Sequence, residues 1–144
     1  MPLQHQALAH DVLFKQAVPP QSMTGGAVNG TVYDTQGWMG VAFVIDIGAI
    51  TGAGTLDARI MEDTASGFGN ATNVTNATLT QVAAASNNNV AIIDYRNPAK
   101  RFVRLTLTQA ANTVLAGATV VFYGRDGLLP PTQSAIQVVT VAGA

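Results

Sequence analysis

The clearest alternation in the chain runs over residues 38–47. Met39, Val41, Phe43, Ile45 and Ile47 fall at every second position, with Trp38, Gly40, Ala42, Val44 and Asp46 between them. A period of two puts the first set on one face of a β-strand. The other face is small or mixed, so the strand packs on a second sheet with one side and lies under a loop, arm or neighbour with the other. After a glycine-rich turn at 48–54, residues 55–63 carry Leu56, Ala58 and Ile60 inward and Asp57, Arg59 and Asp63 outward. This half-solvated pattern is expected to pair with its predecessor as a hairpin. Residues 101–108 set Val103, Leu105 and Leu107 against Arg104, Thr106 and Thr108, and residues 114–124 set Val120 and Phe122 against Val121 and Tyr123. Shorter strands are predicted at 28–34, 78–82 and 90–95, with 64–77 mostly loop. Turn residues recur roughly every 8–14 positions, the spacing of a sandwich or barrel. The fold class is therefore all-β, an antiparallel β-sandwich of jelly-roll type.

The two ends read differently. Residues 1–27 are expected to form an extended N-terminal arm and linker. Leu8, Val12, Leu13 and Phe14 are its apolar contacts, and Pro19-Pro20 and Gly25-Gly26 break it from the body. The body spans 28–127. Leu128-Leu129-Pro130-Pro131 then opens a C-terminal extension, 128–144, whose β-prone stretch 136–141 includes Ile136 and Val138. That stretch is either a further strand of the same sheet or a strand lent to a neighbouring chain.

Composition supports sheet over helix. Of 144 residues only 10 % are charged, against about 25 % in an average soluble domain. One glutamate and two lysines leave little to clothe surface helices, whereas the many Val and Thr residues suit pleated surfaces. Net charge is −1 and the basic residues are scattered, which argues against nucleic acid or an anionic membrane as partner. No apolar run approaches the roughly 18 residues of a membrane span, and the N-terminus shows no secretory pattern, so synthesis in a cytoplasm is expected. The absence of cysteine agrees with that compartment.

The search for reactive groups finds little. His5 and His10 have no acidic residue closer than Asp11, a poor ligand set for a metal. Ser22, Ser66, Ser86 and Ser134 sit in linker or turn contexts with no histidine base in the body. Asp57, Glu62 and Asp63 are the one carboxylate cluster, but adjacent strand residues point to opposite faces. Residues 48–54 lack the lysine of a phosphate loop and read as a turn. Asp46 is expected to face outward and pair with Arg59, Arg101 or Arg104 across the sheet. Arg96, Lys100, Arg101 and Arg104 read as a solvated hairpin or a subunit contact. The repeat 70–78, with formal glycosylation sequons at Asn70, Asn73 and Asn76 and another at Asn29, is an uncharged polar loop suited to an exposed tip, a protein contact or a sugar. No catalytic residue, cofactor, metal or small-molecule substrate is expected.

The order of these features resembles a known family. A leading arm, then Gly37-Trp38-Met39-Gly40-Val41-Ala42-Phe43-Val44-Ile45, a Gly-rich turn, Leu56-Asp57-Ala58-Arg59-Ile60-Met61-Glu62-Asp63, Ala99-Lys100-Arg101-Phe102-Val103-Arg104-Leu105 and Val120-Val121-Phe122-Tyr123-Gly124 are similar to the small capsid decoration, or cement, proteins of tailed bacteriophages. The likeness covers about residues 30–125. It implies a non-enzymatic virion protein, commonly a homotrimer, that sits on the outer capsid surface and clamps subunits of the major capsid protein. Its contacts, assigned from position and apolarity, are Leu8, Val12, Leu13, Phe14, Ile136 and Val138. The rival readings are another small β-sandwich of the phage head, neck or tail, a carbohydrate-binding jelly-roll adhesin, and a glycosidase or lyase on the same scaffold.

Overall fold

Alternating apolar positions only become a core when a second apolar face covers them, and the chain supplies that face by folding into two opposed sheets. The structure, a computed structural model, describes residues 8–125. A four-residue helix α1 (Leu8–Asp11) leads into β1 (Leu13–Met23), β2 (Gly26–Asn29), β3 (Tyr33–Asp34), β4 (Trp38–Ile50), β5 (Thr55–Asp63), β6 (Thr72–Thr78), β7 (Val82–Ala83), β8 (Asn89–Arg96), β9 (Phe102–Ala110) and β10 (Val114–Arg125). Sheet A has the order β1-β10-β4-β8. Sheet B has the order β2-β9-β5-β6, with β3 also along β9 and β7 along β5. Every pairing is antiparallel.

The core lies between the sheets. Sheet A contributes Val18, Val41, Phe43, Ile45, Val120 and Phe122, and sheet B contributes Leu56, Ile60, Val103, Leu105 and Leu107, all fully buried. Each such side chain stabilises by about 1.5–3 kcal/mol relative to exposure. The inward faces expected for β5, β9 and β10 are the observed ones. On β4 the pattern holds from Val41 to Ile47, but Met39 is half exposed. Gly124, at φ +65, brings the end of β10 against Met39, and Trp38 turns in onto Phe122 with ring centroids 5.8 Å apart.

Four sequence expectations are corrected. Residues 13–23 are not part of an arm. They form β1, which pairs with β10 from Leu13↔Phe122 to Met23↔Val114 and buries Ala17, Val18 and Met23. Pro19 and Pro20 fit because β1 is an edge strand whose ladder is already interrupted by register shifts at 16–18 and 18–21. Pro20 packs on Gly117, where any Cβ would sit 2.9 Å from the Pro20 Cα.

Secondly, β4 and β5 are not a hairpin. They lie in different sheets, with the 48–54 turn arching between them, and β5 pairs with β9, β6 and β7 instead. Thirdly, residues 72–77 of the segment read as loop belong to β6, and the strand expected at 78–82 is absent as such, since Thr78 ends β6, 79–81 are not strand and Val82 opens β7. The buried residues of β6, Val74 and Ala77, are three apart rather than two because Asn76 takes φ 62, which hides the strand from a period-two search. The strand expected at 28–34 is split into β2 and β3. At the split, Gly30 N–H donates to Leu105 O in sheet B and Thr31 N–H to Ala17 O in sheet A, at 2.8 and 3.0 Å.

The role of β1 is testable by urea denaturation. Val18→Asp, which buries a charge in the core, should lower the unfolding free energy by more than about 3 kcal/mol, while Leu8→Asp on the exposed helix should change it by less than about 0.5 kcal/mol. Equal small effects would return the segment to an arm.

Candidate functional site

A strand with apolar residues on both faces has one face left over once the core is made, and sheet A contains three such strands, β4, β8 and β10. Across its outer side, registers bring Gln16, Thr119, Val44 and Ile92 into one row, and Phe14, Val121, Ala42 and Asp94 into the next. A further row holds Gly117, Asp46 and Val90. Val90 and Ile92 are 55 % and 60 % exposed and Leu115 is 43 % exposed. The outer face of sheet B is different in kind. There Thr106 donates to Asn29 Oδ1 at 3.0 Å, Gln81 donates to Asp57 at 2.8 Å, and the Arg104 guanidinium lies 4.6 Å from the centre of the Phe68 ring. That face carries polar groups with partners of their own, whereas the outer face of sheet A offers hydrocarbon to whatever covers it.

Part of the sheet A face is hollowed into a groove of about 820 Å³ over β1, β10 and β4. Its floor exists because Gly48 and Gly117 put no side chain on the outer surface. Phe14, Gln21, Leu115 and Thr119 line it as well, with Asp46 as its acidic side chain. At the other end of the face, Tyr123 lies flat over Gly40, where any Cβ would collide with its ring, and donates a hydrogen bond to Asp94. Burial, reinforced by the Asp94 carboxylate, pushes the Tyr123 hydroxyl above its ordinary pKa.

The carboxylates singled out in the sequence are dispersed. Glu62 continues the inward parity of β5 and is buried at the end of the sandwich, where it accepts hydrogen bonds from Tyr95 Oη of β8 at 2.6 Å and the Lys100 N–H at 3.2 Å. It thereby ties the two sheets together. Asp63 accepts the N–H groups of Asn70 at 2.8 Å and Ala65 at 3.2 Å, closing the loop after β5. The Asn70 N–H is the chief reason its carboxyl is held below the usual carboxylate range. Asp57 points to the opposite face, onto Gln81.

Asp46 is exposed on sheet A and cannot pair across a sheet with Arg59 or Arg104, which belong to sheet B. Arg101 forks onto Asp34 instead, with contacts of 2.9 and 2.8 Å, and this hydrogen-bonded pair holds Asp34 below its ordinary value. The basic stretch fans out in the same way. Lys100 reaches Thr72 at 2.8 Å, and Arg96 lies 3.8 Å from Asp94. Among the described residues, no three His, Asp or Glu side chains gather into a set that could hold a metal ion, and no helix is long and apolar enough to cross a membrane.

Of the contact residues expected from the sequence, Leu8 is exposed on α1, Val12 is buried, Leu13 packs against the core and Phe14 lines the groove. Ile136 and Val138 lie outside the described residues. The sequence reading passed over Val44, Val90, Ile92, Leu115 and Val121. One signal pointed to them: Val90-Ala91-Ile92-Ile93 is apolar at four consecutive positions, one face more than a half-solvated strand needs.

Because the carboxyls of Asp34 and Asp63 have lower pKa values folded than unfolded, their stabilising contribution is full above the unfolded value of about 3.9 and is lost as pH falls through the folded one. Melting temperature followed from pH 6 to pH 2 should therefore drop on the acid side, and the drop should be shallower in Asp63→Asn and Asp34→Asn. An unchanged acid limb in both variants would refute the assignment.

No family model matches the sequence, and no curated protein matches it.

Proposed function

We propose that this protein is a structural contact protein, of the capsid decoration or cement type, that binds the outer surface of a major capsid protein shell and holds it against the pressure of packaged DNA. The observation that carries the reading is the outer face of sheet A. Val44, Val90, Ile92, Leu115 and Val121 stand there beside a groove floored by glycine, on a body whose polar side chains are committed to closing its own ends. Such a face gains free energy when another protein covers it, by about 25 cal/mol for each Å² of apolar surface removed from water. Three copies acting together multiply a modest single contact, which favours a homotrimer as the working unit.

The strand order adds support. With β2 and β3 taken as one position and β6 and β7 as another, the sheets read 1-8-3-6 and 2-7-4-5, the interleaving we associate with a jelly roll, a fold common in capsid proteins. The resemblance over residues 30–125 points the same way. The protein would be made in a host bacterial cytoplasm and end on the capsid exterior.

The adhesin reading gains nothing from the aromatic residues. Trp38 and Tyr33 pack on Phe122, Tyr95 bonds Glu62 and Tyr123 lies over Gly40, so no described tryptophan or tyrosine stands free as a sugar platform.

The test uses the native virion. Shells carrying the protein should release DNA at a higher temperature than shells lacking it, and Leu115→Lys on the groove wall should remove the protein from shells while leaving its own melting temperature nearly unchanged. Identical DNA release with and without the protein would overturn the cementing role. Light scattering of the isolated protein should give three times 14.9 kDa.

A further inference from the structure

One carboxylate stands in the middle of the hydrocarbon on the outer face of sheet A. Asp46 is exposed on β4, in a row with Gly117 of β10 on one side and Val90 of β8 on the other. Val44 and Gly48 flank it on the same face of its own strand, and Leu115 packs beside Gly48, where a Cβ would lie 3.0 Å from the Leu115 Cβ. Among the described residues, no side chain forms an ion pair or hydrogen bond with the Asp46 carboxylate. A protein that covers Val44, Val90 and Leu115 therefore covers Asp46 with them.

The chain brings no cation of its own to this point. Lys15 lines the groove but lies opposite Val120, on the other parity of β1, and its ammonium sits 5.5 Å from the centre of the Tyr33 ring. Arg96 lies 3.8 Å from Asp94, Arg101 forks onto Asp34, Lys100 reaches Thr72, and Arg125 is 5.8 Å from the centre of the Trp38 ring. Arg59 and Arg104 belong to sheet B. These seven are all the lysines and arginines of the sequence. Taking a carboxylate out of water without a counter-charge is strongly unfavourable, whereas a paired and hydrogen-bonded charge is tolerated in the same place. The cation has to arrive with the partner.

We infer that the groove receives an arginine side chain of the covering protein, its hydrocarbon stem laid along Gly117, Gly48 and Leu115 and its guanidinium on Asp46. This rests on the contact reading of sheet A and names the chemistry of the partner at that site. A long side chain with an apolar stem and a charged head matches a groove that is apolar along its length and acidic at one point. Guanidinium suits the position better than ammonium. It is planar and weakly hydrated, and it can give a carboxylate two parallel hydrogen bonds with donors to spare. Thr119 and Gln16, paired across β10 and β1 and both lining the groove, supply oxygen acceptors for those donors. Asp94, the other acid of this face, is already held by the Tyr123 hydroxyl with Arg96 nearby.

Two measurements separate this inference from the capsid reading. In the first, the isolated full-length protein is titrated with N-acetyl-arginine amide and, separately, with N-acetyl-citrulline amide, which keeps the length of the side chain and lacks its charge. The backbone NMR signals of Asp46, Gly48, Gly117 and Thr119 should move with the arginine probe, move far less with the citrulline probe, and stay in place for both in Asp46→Asn. In the second, shells lacking the protein are incubated with it. Asp46→Asn should bind them at least ~10-fold more weakly than the native chain, as expected when one member of a covered charge pair is truncated, and Asp46→Lys should not bind. Both variants should melt within about 3 °C of the native chain, because the side chain is exposed and holds nothing in place. A native chain that ignores shells but answers the arginine probe would overturn the capsid reading and support the groove assignment. Shell binding by Asp46→Asn equal to the native chain, no response to the arginine probe, or an equal response to both probes would overturn the arginine assignment.

Discussion

The sandwich depends on the apposition of two apolar sheet faces that cannot be built one at a time. Apart from the step from β5 to β6 and the breaks inside a shared edge, each strand is followed by one in the other sheet. Neither sheet can therefore bury its inner face until the other is present. The central pairs, β4 with β10 and β5 with β9, supply most of the fully buried side chains, and both join strands far apart in sequence. Loop-closure entropy has to be met before these contacts form, which makes the architecture slow to assemble and cooperative once assembled.

With so few charged residues, polar groups are placed where the interlayer space would otherwise open to water. Glu62 with Tyr95 and the Lys100 N–H closes one corner, Asp63 draws in the following loop, and the Arg101–Asp34 fork pins the approach to β9 against the end of β3. A carboxylate that accepts several N–H groups is stabilised in its charged form and is held by the structure around it. Chemistry that a sequence search treats as candidate acid or base is here part of the joinery. Two of the glycines on the outer side of sheet A act by omission. At Gly117 the missing Cβ admits Pro20, and at Gly40 it admits the Tyr123 ring.

What remains is asymmetry. Sheet B finishes its outer face with Thr106 bonded to Asn29, Gln81 bonded to Asp57 and Arg104 laid over Phe68, while sheet A leaves valine, isoleucine and leucine in view. A chain economical with charge could have spread its exposed hydrocarbon evenly. Concentrating it on one sheet, beside a glycine-floored groove, sets one face of the body apart from the other, and this is the face on which the proposed contact function rests.

Much of this was legible in the residues themselves. The faces of β5 and β9, and that of β4 from Val41 onward, followed from alternation, because side-chain direction in a strand is a local property of the backbone. The carboxylate dispersal was also foreseeable, since neighbours on a strand point apart. Partnership was not legible. The sequence allows β4 and β5 to be a hairpin as readily as strands of opposite sheets, residues 13–23 to be an arm as readily as an edge strand, and 72–78 to be a polar loop as readily as the strand that Asn76 bends into place. The candidate face shared that fate, since Val44, Val90, Leu115 and Val121 come from three strands and form a surface only after pairing. Composition and period determined which residues turn inward; the tertiary structure decided which strands lie side by side, because that choice is made by the burial of whole faces against each other and not by any short stretch of chain.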